Sequence, residues 1–229
     1  MAGKFLQTTA EKKMALIVAI PENSEDMAKA AEAGGADAVK VHINVTHRAS
    51  GVTFGSLSQE RPALERILKS VSIPVGIVPG AENGVSSREI EEIKTMGFDF
   101  LDMFVHYYPA WLMNVQGITR IAAIDSSCDW EFIRGLNNTP IEAFEGAIIP
   151  KEQYGQGLTL SDINRYSMLT SLLKKPIIIP SQKRLHPEEV HLLAQAGSKS
   201  IMIGVLSTGS TFKELEKATL AFSKAISSL

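Results

Sequence analysis

Short apolar runs alternate with longer amphipathic stretches along the whole of this 229-residue chain. The apolar runs read MALIVAI (14–20), ADAVKVHIN (36–44), IPVGIVP (73–79), FDFLDMFVH (98–106), TRIAAID (119–125), GAIIP (146–150), PIIIPS (176–181) and SIMIG (200–204). They are short and rich in Ile, Val or Phe, as strands of a parallel sheet covered on both faces are. The intervening stretches carry helix punctuation. The first follows Asn23 and stops at Gly34 and Gly35. The second is expected to hold Pro62 in its first turn. Ser86 with Glu89 and Thr211 with Glu214 are spaced as capping boxes, and Gly97 and Gly197 close helices. Further helices are predicted near 109–115, 129–136 and 161–173, and another opens at Pro187.

Eight βα units fit either a closed barrel or an open doubly wound sheet. The count of eight, a length near the usual ~250 residues and the lack of a glycine fingerprint after the first strand favour the barrel. The expected fold is therefore α/β, a single (β/α)8 TIM barrel over 1–229, with 1–13 as an N-terminal leader segment.

Two of the strands break the apolar pattern in the same way. Strand side chains alternate faces, so Ala38, Lys40, His42 and Asn44 share one face of the second strand, and Val39, Val41 and Ile43 the other. In the fourth strand Phe100, Asp102, Phe104 and His106 oppose Leu101, Met103 and Val105. The apolar sets suit the helical layer, and the polar sets then face the interior and climb toward the mouth. Even-numbered strands contribute to common interior layers. This predicts a Lys40–Asp102 pair beneath a mouth lined by His42, Asn44 and His106. The pair reads either as a structural ion pair or as a lysine tuned for proton transfer or imine formation. His42 and His106 are acid–base candidates because histidine titrates near ~6.5.

Other positions join the candidate list. Glu22, at the end of the first strand, is either a base or a favourable charge at a helix start. Lys151 ends the sixth strand, where a solvated loop lysine is the simpler explanation. The loop 45–61 is long for a βα connection and carries His47, Arg48, Gly51 and Gly55, as a lid over an anion would. The run HYYPAWLM (106–113) suits a pocket wall, a cover or a dimer contact, and a homo-oligomer is the expected assembly.

Composition narrows the class. The formal net charge of −2 gives no basic excess for nucleic acid or an anionic membrane. The single cysteine, Cys128, excludes an internal disulfide framework and suits a reducing compartment. The run 14–20 stops at Pro21, too short to span a bilayer. A soluble cytoplasmic protein is expected. No metal and no cofactor is expected, since no compact ligand motif is present.

The segment PIIIPSQKRLHPEEVHLLAQAGSKSIMIG resembles the last βα units of the phosphate-binding TIM barrels, the ribulose-phosphate-binding or aldolase-type superfamily. The resemblance lies in Pro187-Glu188-Glu189-Val190, Ala196-Gly197 and Ile203-Gly204, and AKAAEAGGADAVKV and SIPVGIVPG are similar to units of that group. It implies a phosphate held after the seventh and eighth strands, at Ser181, Gln182, Lys183, Gly204 and Val205, with Lys183 and Arg184 in place of the family's usual glycines there. Signatures of individual members are absent. The combined reading is a metabolic enzyme for a small phosphorylated substrate, an isomerase, epimerase, or C–C lyase or synthase. Lys40, His42, Asp102, His106 and Glu22 would be its catalytic groups, with Asn44 and Arg48 beside the bound substrate. The alternatives are a non-catalytic phosphometabolite sensor on the same barrel and a subunit receiving an intermediate from a partner.

Overall fold

Among the described residues, eight parallel strands close on themselves in the order β1 to β8. The structure, a computed structural model, describes residues 3–82 and 84–229; residues 1 and 2 of the expected leader lie outside the described residues. The strands are β1 (Ala15–Ala19), β2 (Ala38–His42), β3 (Val75–Val78), β4 (Phe100–Phe104), β5 (Thr119–Asp125), β6 (Ala143–Ala147), β7 (Ile177–Pro180) and β8 (Ser200–Ile203). Around them run α1 (Lys4–Glu11), α2 (Glu25–Ala33), α3 (Leu57–Ser70), α4 (Ser87–Met96), α5 (Trp130–Gly135), α6 (Leu160–Leu172), α7 (Val190–Gln195), α8 (Val205–Thr208) and α9 (Phe212–Ser227). None of these helices is long and apolar enough to cross a membrane.

The alternation works as strand geometry requires. Val39, Val41, Leu101, Met103 and their equivalents pack outward in one large core under the helices. Ala15, Ile17, Ala38, Phe100, Ile121, Ala143 and Ile178 fill the lower interior. The strand registers stack the inward side chains into layers drawn from alternate strands. Ile17 is level with Ala38 and Met202, Gly76 with Lys40 and Phe100, and Ile121 with Asp102 and Ala143. Gly76 has no side chain because the Phe100 ring fills that space; a Cβ there would collide with it.

Several expectations are corrected. The polar leader is the helix α1, and its Phe5 inserts fully buried beneath the barrel, 4.9 Å from the Phe100 ring centroid. The helix is anchored at a distance: the Asp99 carboxylate accepts the Lys4 and Phe5 backbone N–H groups at 2.7 and 2.9 Å, supplying donors that a helix start otherwise leaves unpaired. Asp99→Ala is expected to cost about 0.5–2 kcal/mol, read as a shift in the urea midpoint at unchanged slope.

The α3 helix starts five residues before Pro62, at a Ser56–Gln59 capping box, so Pro62 lies inside it. The predicted helix at 109–115 is a 3-10 turn over Ala110–Asn114. Strand six begins at Ala143, three residues before the predicted 146. Strand four ends at Phe104, and Val105–Tyr107 form a 3-10 turn.

Candidate active site

Lys40, Asp102 and Glu145 occupy one interior layer, from β2, β4 and β6, with Met202 of β8 completing it. The Lys40 ammonium donates to Asp102 Oδ2 at 2.9 Å and to Glu145 Oε2 at 2.7 Å. The sequence predicted the first contact and missed the second, because the strand holding Glu145 was read as starting after it. Above this layer the walls narrow to small side chains, Ala19, Ala123 and Ala147, with Pro180 and Gly204. A cavity of about 420 Å³ therefore reaches from the C-terminal rim down to the three ionisable groups.

The layer splits the two carboxylates. Burial alone would push the Lys40 pKa down, but Asp102 and Glu145 outweigh it and hold the ammonium above its ordinary value. Burial opposes ionisation of Asp102, yet Lys40 and a hydrogen bond from Glu145 keep it below the usual carboxylate range. Glu145 goes the other way: burial first, then the Asp102 charge, push it well above that range. Two carboxyl groups beside one cation cannot both ionise cheaply. The layer thus favours an ammonium at Lys40 and a carboxylate at Asp102, and favours the protonated form at Glu145. Asp102 Oδ1 is buried with no hydrogen-bond partner among the described residues.

Of the loop 45–61, residues 45–55 fold as a hairpin and 57–61 belong to α3. Asn44 N–H donates to Gly55 O, Phe54 N–H to Val45 O and His47 N–H to Val52 O. Asn23, expected from sequence only as the residue before the first helix, ties its base. Its amide bonds the His42 backbone on both sides and reaches Glu60 at 2.9 Å, while Glu60 accepts the Gly55 N–H. Near the hairpin tip, Arg48 lies 4.7 Å from the Phe104 ring centroid, spanning the mouth from β2 to β4.

His42 sits below, its ring 5.1 Å from Phe54 and 4.6 Å from His47. Burial, then His47 and Lys40, push the His42 pKa well below its ordinary value, and burial and Lys40 bring His47 to about 4. Both imidazoles are neutral at neutral pH.

The remaining predicted residues divide between cavity and elsewhere. Asn44 lines the cavity but leaves the strand pattern. Its φ of 54° turns the side chain to Pro79 O at 3.2 Å and Glu89 at 3.4 Å. Arg48, Ser181, Gln182, Gly204 and Val205 also line the cavity, as do Lys151 and Tyr154. Glu22 is exposed and is not part of the lining. His106 is half-exposed in the turn after β4, bonded to Ser127 at 3.0 Å, and does not join His42. The period of two ends at Phe104, so the face expected to carry His106 inward no longer exists.

Lys183 is buried, 3.4 Å from Asp162 of α6, and is absent from the lining. Ser181 Oγ accepts the Gly204 N–H at 2.9 Å. The Gln182 amide is engaged with Ile149 N–H, Ala147 O and Tyr154 Oη. The backbone N–H groups of Ser181 and Gln182 bond Met202 O and Pro180 O. The loop after β7 thus holds the rim together.

A closed ring of eight parallel strands is also what the comparisons with solved structures find. A chain of Mycobacterium tuberculosis tryptophan synthase superposes with a TM-score of 0.73 at 11% identity, covering 99% of each chain. The chain has the (β/α)8 barrel fold. Thiamine phosphate pyrophosphorylase from Pyrococcus furiosus gives 0.70 at 10% identity, over 96% of this barrel and 98% of that chain. Phosphoribosyl anthranilate isomerase from Thermus thermophilus gives 0.68 at 13% identity, over 94% and 99%. No protein-family model and no curated protein sequence matches this barrel.

Proposed function

We propose that this barrel is an enzyme that moves protons on a small phosphorylated metabolite, as an isomerase or lyase. One observation carries the reading: Lys40, Asp102 and Glu145 floor an open cavity, with the two carboxyl groups side by side and pushed in opposite directions, Asp102 toward ionisation and Glu145 toward its protonated form. Structural ion pairs need no access, whereas here small wall residues keep the way to the layer clear. Glu145 is the proton donor and Asp102 the matching acceptor, a division of labour that unequal pKa values make possible at one pH. Lys40, fixed as an ammonium, would stabilise a developing enolate-like oxygen. Its raised pKa disfavours the imine role also considered from sequence. His42, neutral, would orient substrate by hydrogen bonding.

Charge supports an anionic ligand. Arg48 and Lys151 add two cations to the lining beside Lys40, and the push of Glu145 toward its protonated form lightens the negative charge that Asp102, Glu82 and Glu145 oppose to them. Arg48 and Lys151 are the phosphate partners in this reading, together with the first-turn N–H groups of Val205 and Leu206. Arg suits phosphate because its planar fork binds two oxygens at once. That the neighbouring folds include a thiamine phosphate pyrophosphorylase and a phosphoribosyl anthranilate isomerase agrees with this choice.

The test is a panel of aldose and ketose phosphates incubated with the protein in D2O. Deuterium entering the carbon beside the carbonyl of one member is the expected result; no exchange and no calorimetric binding across the panel would defeat the reading. Arg48→Ala is expected to weaken binding of the active phosphate ester by about 1.5–3 kcal/mol, the worth of a charged hydrogen bond, while leaving its dephosphorylated counterpart unaffected.

The non-catalytic sensor remains the second reading, favoured by the rim after β7. Its amides and Lys183 are engaged internally, which leaves phosphate capture to side chains. Binding without exchange for every panel member would select it.

A further inference from the structure

Outside the cavity, three side chains from two adjoining segments converge on one point. His106 comes from the turn after β4, Asp125 ends β5, and Cys128 precedes α5. His106 Nε2 lies 3.4 Å from Asp125 Oδ1 and 3.7 Å from Cys128 Sγ, and Sγ lies 3.8 Å from the same Oδ1. None of the three lines the cavity.

We propose that these three residues form a binding site for a divalent transition-metal ion of the zinc class. Tetrahedral zinc bonds of about 2.0–2.3 Å to nitrogen, oxygen and sulfur separate the ligand atoms by about 3.3–3.6 Å. The observed triangle is within a few tenths of an ångström of that. An ion slightly out of the plane of the triangle, as tetrahedral geometry requires, would be about 2.2 Å from each corner, close to the values of about 2.0–2.2 Å for nitrogen and oxygen and about 2.3 Å for sulfur. A proton relay of the nucleophile–histidine–carboxylate kind does not fit, because such a relay uses both ring nitrogens. Here one nitrogen, Nε2, faces the thiol, the carboxylate and the Ser127 hydroxyl together.

The mixed sulfur, nitrogen and oxygen set excludes magnesium and calcium, which take oxygen. Binding replaces the Cys128 thiol proton, released to water, with a metal–thiolate bond. Ser127 supports the carboxylate through its N–H and hydroxyl, at 2.9 and 2.6 Å from Asp125 Oδ1, in the manner of outer partners that orient metal ligands. Three protein ligands on a half-exposed rim leave the fourth position to water. The ion would clamp the end of β4 to the end of β5, next to Tyr107, which does line the cavity.

The full chain, stripped by a chelator, is titrated with Zn²⁺ against a chromogenic competitor and separately with Co²⁺. One equivalent of zinc and a thiolate-to-cobalt charge-transfer absorption are expected. Cys128→Ser should abolish that absorption, and Cys128→Ser and His106→Gln should each weaken zinc by at least about 100-fold, beyond the 10–100-fold that loss of an outer partner costs. His191→Gln, at an exposed histidine elsewhere, should leave both unchanged. Circular dichroism confirms that each variant is folded. Absence of the absorption in the parent protein, or zinc affinity unchanged in Cys128→Ser, overturns the site.

Discussion

Glu145→Gln is expected to fold like the parent protein and to lose turnover by about 10²–10⁴-fold, the usual worth of a positioned proton donor. Glutamine is the closest shape to a protonated glutamate, so the contacts to Lys40 and Asp102 survive while the transferable proton does not. The pH dependence of stability distinguishes this from simple damage. The folded pKa of Glu145 is raised, so its contribution is complete below the unfolded value near ~4.3 and is lost as pH rises through the folded pKa. Glutamine has no proton to lose. Denaturant titrations should therefore show Glu145→Gln gaining on the parent as pH climbs above the ordinary carboxylate range. Parallel stability curves for the two proteins would contradict an acid held neutral at this position.

Lys40→Met is expected to destabilise the barrel by about 3–5 kcal/mol at neutral pH. Removing one member of a buried ion cluster strands the charge of the other. Asp102 is the charge left behind. In the parent its pKa is lowered, so its contribution is present above the unfolded value near ~3.9 and is lost as pH falls through the folded pKa. The variant lacks that contribution, and its deficit should shrink as pH falls toward the ordinary carboxylate range. A deficit constant from neutral to acid pH would mean that packing, not charge, is what the lysine supplies.

How much of this was legible follows from how local each signal is. The Lys40–Asp102 pair could be read from two short runs, since alternation fixes the face and the barrel fixes which strands share a layer. Glu145 obeyed the same rule, with Ala143, Glu145 and Ala147 on one face, but a charge inside an apolar run looked like the boundary of that run. Testing every even strand for an inward polar residue would have exposed it. His106 failed for the opposite reason: a period of two was carried two residues past Phe104, where the backbone turns. Lys183 sits beside a family-like motif, yet its position in the loop after β7 is set by Asp162 on α6, a contact that no local pattern displays. The first thirteen residues looked like a polar leader because one phenylalanine, Phe5, carries the burial that matters most there.

That phenylalanine has a consequence for traffic. A sleeve stoppered at its lower end by two aromatic rings has one door, the upper one, and on the proposed reading reactant, product and any proton that restores Glu145 would all use it. Turnover in such a vessel would run in strict alternation, each departing molecule clearing the way for the next and for the water that recharges the acid.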